Sequence, residues 1–224
     1  VRERGIIFSP AMVRAILRDE NPKSQTRRIV KPQPAPGCYY AMNANNSHAL
    51  HFAEQRDAAG GFVCVPPTPR SKDHRLACPY GVPGDRLWVR ETWRRSAGAS
   101  GEILFAAELS EYDRAEKGPW KPGIHMPRTA SRIDLEIVSV CVERLRDLEA
   151  RPDLGEADVL AEGLTFVEDM PSADLPRQYG LPDRMVSRTP WCAFQKLWDE
   201  LNGKRAPWAS NPWVWVITFR RIRP

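Results

Sequence analysis

The chain has little that would mark a membrane, secreted or nucleotide-triphosphate-using protein. No apolar run approaches the roughly 20 residues of a membrane span. The opening Val1-Arg2-Glu3-Arg4-Gly5 lacks the apolar core and cleavage site of a secretory signal, so cytoplasmic residence is the expectation. Only five cysteines, Cys38, Cys64, Cys78, Cys141 and Cys192, occur in 224 residues. Their odd number and irregular spacing argue against a disulfide framework. Cys38, His48, His51, Cys64, His74 and Cys78 invite comparison with a zinc site. Without a compact Cys-x-x-Cys pair, however, the expectation is no metal and no other cofactor. No glycine-rich loop precedes Lys23-Ser24, which excludes a P-loop. A dinucleotide fingerprint, a His-Glu-x-x-His helix and a serine elbow are missing too.

What is present suits a soluble globular protein: 42% hydrophobic and 27% charged residues. The length allows one well-buried core or two small ones. A formal net charge of +5 fits a polyanionic partner without requiring one. Proline (21) and tryptophan (8) are abundant. Prolines cut the chain into short elements, and tryptophans need a core, groove or interface to cover them, which points to a compact β-rich fold with long connections.

Gly5-Ile6-Ile7-Phe8 reads as a strand. Ser9 is a helix cap with Pro10 at the first helical position. Met12, Val13, Ile16 and Leu17 form the apolar stripe of that helix, and Asn21-Pro22 stops it. Residues 32–83 read as an excursion from the core, with strands at 38–40, 51–53 and 62–65 and an exposed loop at 66–75. In residues 87–93, Leu87, Val89, Glu91 and Trp93 share one face of a strand, and Trp88, Arg90 and Thr92 the other. A strand at 103–107 and a polar connection at 108–118 follow. The sequence 131–137 alternates as a half-buried strand, and 138–142 continue it with a change of phase that suggests a bulge. A helix near 156–162 is stopped by Gly163, and 166–188 read as a loop with short helical turns. Thr189-Pro190 repeats the cap signal. Trp191, Phe194, Leu197, Trp198 and Leu201 form an amphipathic stripe, read as core packing. Residues 211–219, apolar on both faces, read as a central or barrel-closing strand.

The chemistry concentrates in Pro22-Lys23-Ser24-Gln25-Thr26-Arg27-Arg28. Cations, an amide and hydroxyls just past a helix end suit a phosphate-bearing or amide-bearing ligand better than an apolar one. A solvated surface loop is the alternative. Glu91, a carboxylate among large apolar residues, is either functional or held in an edge-of-sheet salt bridge to Arg27, Arg28 or Arg132. The proline-fixed stretch 119–128 presents Trp120, Lys121, His125 and Arg128, a flat ring and cationic donors that can stack a base and grip phosphates.

Several strings together resemble the ASCH branch of the PUA-like superfamily, in particular its phage- and prophage-encoded members. They are Ile7-Phe8-Ser9-Pro10-Ala11-Met12-Val13-Arg14-Ala15-Ile16, Lys23-Ser24-Gln25-Thr26-Arg27-Arg28, residues 78–93, His125-Met126-Pro127-Arg128 with Ser131-Arg132, and Asn211-Pro212-Trp213-Val214-Trp215-Val216. The resemblance implies an α+β fold, a PUA-like/ASCH β-barrel of mostly antiparallel strands with flanking helices. One such domain would span 1–224, with an excursion at about 32–83 and a helical or loop insertion at about 143–203. It implies a cleft for RNA, DNA or a modified nucleoside. Gln25, Arg27, Arg28, Arg90, Trp120, Lys121, His125, Arg128 and Arg132 are the candidate ligand-binding residues. No membrane contact is expected, and a monomer is favoured.

Binding of RNA or a modified nucleotide is the leading expectation. The amidohydrolase branch implies an alternative, cleavage of an acylated nucleoside such as N4-acetylcytidine, with Lys23, Thr26 and Glu91 as the catalytic set. A phage-associated protein-binding module is the third. In the enzyme, Thr26 would attack the carbonyl. Its proton would go to a neutral Lys23, or to Glu91 with a charged Lys23 holding the oxyanion. Lys23 and Thr26 would face one side only in a helical turn.

Overall fold

The computed structural model describes residues 1–34, 49–52, 74–96, 101–116, 119–150, 152–167, 178–181 and 184–222. The expected strands at 38–40 and 62–65, most of the 66–75 loop, and Cys38, His48 and Cys64 lie outside these residues.

Strand β1 (Glu3–Ile7) runs into helix α1 (Pro10–Leu17), whose cap is as expected: the Met12 N–H donates to the Ser9 hydroxyl, and Pro10 occupies the first turn. The helix buries Met12, Val13, Ala15 and Ile16. It ends four residues before the expected stop, and Asn21 then takes a left-handed conformation (φ 46°). Strand β2 (Gln25–Ile29) follows. Strands β3 (Ala49–Phe52) and β4 (His74–Ala77) pair as a hairpin, so the expected exposed loop gives way to a strand at His74.

Strand β5 (Arg86–Arg90) shows the expected alternation. Leu87 and Val89, then Glu91 and Trp93, are buried, while Trp88, Arg90 and Thr92 are half-buried. Strands β6 (Trp93–Arg95) and β7 (Ile103–Phe105) form a second hairpin. The expected polar connection after them holds helix α2 (Glu111–Glu116). Strand β8 (Asp134–Arg144) carries the expected bulge. Ser139 faces Thr218 and Ile137 faces Phe219, which leaves Val138 unopposed and 51% exposed.

Helix α3 (Pro152–Ala161) stops at Gly163, as expected. The segment read as a loop from 166 contains strands instead: β9 (Thr165–Val167), β10 (Gln178–Leu181) and β11 (Arg184–Ser187) form a small antiparallel sheet. Their brevity and weak alternation explain why periodicity does not reveal them. Helix α4 (Pro190–Asn202) is capped by Thr189, and strand β12 (Trp213–Arg221) follows.

The main sheet has the order β1-β5-β8-β12-β2. Its one parallel pair is β1 with β5, and the rest are antiparallel. Strand β12 lies inside it, and residues 213–217 are buried on both faces. The fold is thus mixed α+β around a mostly antiparallel five-stranded sheet. Among the described strands the sheet does not close into the expected barrel; β1 and β2 remain its edges. None of the helices described is long and apolar enough to cross a membrane.

Gly163 sets the geometry of the site that follows. Its φ of +102° suits glycine, and a Cβ there would meet Ala15 Cβ at 3.0 Å and Lys23 Cδ at 3.2 Å. Gly163→Ala is expected to lower the urea-unfolding free energy by about 1–3 kcal/mol.

Candidate functional site: a cleft between two sheet edges

The motif that reads as polar surface is held by its backbone on three sides. The Lys23 N–H donates to Ala15 O on α1 (2.8 Å) and the Ser24 N–H to Ala161 O on α3 (3.0 Å). Ser24 O accepts from the Phe219 N–H on β12 (2.8 Å). From Gln25 onward the chain pairs with β12, Thr26 opposite Ile217 and Arg28 opposite Trp215. No helical turn joins Lys23 to Thr26, yet both are buried and both line one cavity.

That cavity, about 480 Å³, lies where the end of β1 approaches the free edge of β2. Ile7 and Phe8 form one wall; Thr26, Arg27, Arg28 and Ile29 form the opposite one. Ser9, Pro10 and Met12 contribute from the start of α1, and Phe194, Leu197, Trp198, Leu201 and Asn202 from α4. Arg205, Glu162, Thr92 and Gly123 complete the lining. Arg28 crosses between the edges, its Nη2 donating to Ile7 O at 2.8 Å.

The three motif cations have different partners. Lys23 Nζ, its side chain 1% exposed, donates to Glu162 Oε2 at 3.0 Å and to the Glu162 backbone oxygen. Burial pushes the Lys23 ammonium below its ordinary value. Glu162 pulls the other way, and Arg28 and Arg27 add to the depression. Arg27 is equally buried and meets three carboxylates. Its Nε and Nη2 reach Glu143 Oε1 at 3.0 and 2.8 Å, Nη1 reaches Glu162 Oε1 at 3.0 Å, and Nη2 reaches Asp158 Oδ2 at 3.3 Å. Arg28 pairs with no carboxylate among the described residues. Its guanidinium lies 5.0 Å from the centre of the Phe8 ring and 6.0 Å from that of Tyr80, and its Nε is buried without a hydrogen-bond partner. Thr26, 5% exposed, has a hydroxyl with no hydrogen bond among the described residues.

Glu91 does not line this cavity. Of the three arginines considered for it, Arg132 takes it in a two-pronged pair, Nε to Oε1 at 2.9 Å and Nη2 to Oε2 at 3.1 Å. Arg132 also bonds Glu108 and lies 4.0 Å from the centre of the Phe105 ring. Burial lifts the Glu91 carboxyl above the ordinary carboxylate range against the pull of Arg132. The carboxylate that meets Lys23 is Glu162, which motif reading passes over as the end of a helix before a stop signal.

The remaining predicted residues lie elsewhere. Gln25 is buried on β2 and is not among the cavity-lining residues. Arg90 donates to Gly123 O and Ile124 O, and Trp120 donates to Arg114 O. Lys121 lies over the Trp93 ring, Arg128 bridges Glu3 and Asp134, and His125 is exposed. Gly123 alone of the 119–128 loop reaches the cavity. Phe194, Leu197 and Trp198, read as core, are core and cavity wall at once.

No group of His, Cys, Asp or Glu among the described residues has the arrangement of a metal site. Comparison with family models, with curated proteins and with solved structures finds no match to this chain.

Proposed function

We propose that the cleft between β1 and β2 binds a nucleoside or nucleotide, free or modified, and that the fold is an ASCH-like barrel left open at this cleft. The observation that carries the reading is Thr26. Its hydroxyl has no hydrogen bond among the described residues and belongs to a residue that lines a cavity walled by Phe8, Phe194 and Trp198, where a ligand can meet it. The cavity volume of about 480 Å³ lies within the roughly 300–1,000 Å³ of small-molecule sites. Apolar rings with a few convergent polar groups suit a base and its sugar.

The test is a calorimetric titration with a panel of nucleosides and their 5′-monophosphates, run in parallel on Leu201→Trp. Leu201 lines the cavity yet is 56% exposed, so the larger ring fills the cleft at little cost to the fold. Saturable binding by the parent chain, reduced at least about tenfold in a Leu201→Trp protein of unchanged melting temperature, is the expected outcome. Equal binding by the two proteins, or binding of no panel member, counts against the reading.

A second reading, amide hydrolysis, gains from Lys23, Thr26 and Glu162 lining the same cavity. With Lys23 in its neutral form, which burial favours, Thr26 Oγ1 attacks the amide carbonyl and its proton passes to Lys23 Nζ. The C–N bond then breaks, the amine leaves with that proton, and water hydrolyses the threonine ester to the free acid. Glu162 holds Lys23 in place. Incubation with N4-acetylcytidine should release cytidine and acetate, and Thr26→Val should abolish the release. Product formation undiminished in Thr26→Val, or absent from the parent chain, removes this reading.

A further inference from the structure

We propose that Arg28 and Arg205 form an anion subsite within this cleft, so that the ligand is a phosphate monoester, a nucleotide rather than a nucleoside. The inference rests on the cleft being a nucleoside site and names the class it takes.

Four cations line the cavity: Lys23, Arg27, Arg28 and Arg205. Lys23 is matched by Glu162, and Arg27 by Glu143, Glu162 and Asp158. Glu162, the only carboxylate of the lining among the described residues, is engaged by both. Arg28 and Arg205 have no carboxylate partner among the described residues, so two of the four cations are left unpaired and, with Glu143, Asp158 and Glu162 counted, the cluster keeps one net positive charge.

Arg28 is also built in. The Phe8 and Tyr80 rings flank it, Ile7 O ties one nitrogen, and its Nε is shielded from solvent with no acceptor. Arg28 lines the cavity, and a guanidinium without a carboxylate partner lacks a charge-assisted hydrogen bond that an oxyanion can supply. Arg205 lines the same cavity and is exposed, so its charge adds to that of Arg28. The start of α1 opens on the same cavity through Ser9 and Pro10, and its positive end favours the same charge. Guanidinium forks suit phosphate geometry better than a single ammonium does.

The test compares affinities of each nucleoside and its 5′-monophosphate for the parent chain, Arg28→Gln and Arg205→Gln. The parent chain is expected to favour the monophosphate by about tenfold or more. Arg205→Gln, a surface change, should shrink that ratio, and Arg28→Gln should lower monophosphate affinity more than nucleoside affinity, bringing the ratio close to one. Equal affinity for nucleoside and monophosphate, or a preference that survives both substitutions, overturns the subsite while leaving the nucleoside reading intact. Inorganic phosphate is titrated separately, followed by the arginine Nε–H resonances. A saturable shift of the Arg28 signal, weakened in Arg205→Gln, upholds the subsite even if no nucleoside binds; no shift, with no monophosphate preference, overturns it.

Discussion

Arg27→Met is expected to destabilise the chain by about 3–5 kcal/mol, among the largest effects of any single substitution at the site. The guanidinium occupies the meeting point of Glu143, Glu162 and Asp158, and the first two are almost fully buried. Methionine replaces the stem but leaves the carboxylates facing one another without their shared cation. Removing one member of a buried charged cluster costs far more than the intact cluster contributes, because the groups left behind remain desolvated. Arg27→Lys should recover only part of the loss. A lysine carries one point charge, whereas Arg27 directs three nitrogens to three carboxylates. Urea unfolding of the three proteins gives the ranking; equal stability of the parent chain and Arg27→Met would show that the cluster contributes nothing.

Glu162→Ala should cost about 3 kcal/mol or more, and here a second substitution is expected to restore much of it. Arg27 keeps Glu143 and Asp158 in this variant, so the group left exposed to the penalty is Lys23. Burial already depresses the Lys23 ammonium, and Glu162 is the main force opposing that depression. Without it, the folded state holds the lysine proton still less firmly than the unfolded chain does. A basic group depressed on folding means that the unfolded state binds more protons, so stability rises with pH between the folded value and the ordinary lysine value of about 10.4. Glu162→Ala should therefore be weakest at neutral pH and approach the parent chain as the solution becomes alkaline. Lys23→Met combined with Glu162→Ala should lose that pH dependence and recover most of the stability, since no unpaired charge is left buried. Additive losses in the double variant would mean that the two residues are not coupled.

The framework of this fold is legible in the sequence because local rules agree with the tertiary structure. Ser9-Pro10 and Thr189-Pro190 cap their helices, Leu87 to Trp93 alternates as written, and the phase change after Ile137 is a true bulge. The short strands from Thr165 to Ser187 are not legible, since three or four residues carry too little pattern. The site is half legible. Lys23, Thr26, Arg27 and Arg28 mark one wall of the cleft. Glu162 is missed because its partner lies 139 residues away, and a lone glutamate at a helix end carries no local signal. Glu91 draws attention as a carboxylate on an apolar face, yet its partner is an arginine 41 residues away. Phe194 and Trp198 show why an amphipathic stripe cannot separate core from cavity wall: the same face does both. Nor does charge density in 119–128 identify a binding surface, because several of its polar groups are bound to neighbouring protein groups.

The central claim is that ligand enters between β1 and β2, and methyl NMR tests it most directly. With Thr, Ile and Leu methyls assigned, a saturating nucleoside monophosphate should shift Thr26, Ile7, Ile29, Leu197 and Leu201, all of which line the cavity. Ile103 and Leu104 on β7 are not among its lining residues and should stay unmoved. Shifts clustered on Ile124 and neighbouring Thr129, with Thr26 and Leu197 unchanged, would place the ligand on the surface around 119–129 and contradict the claim.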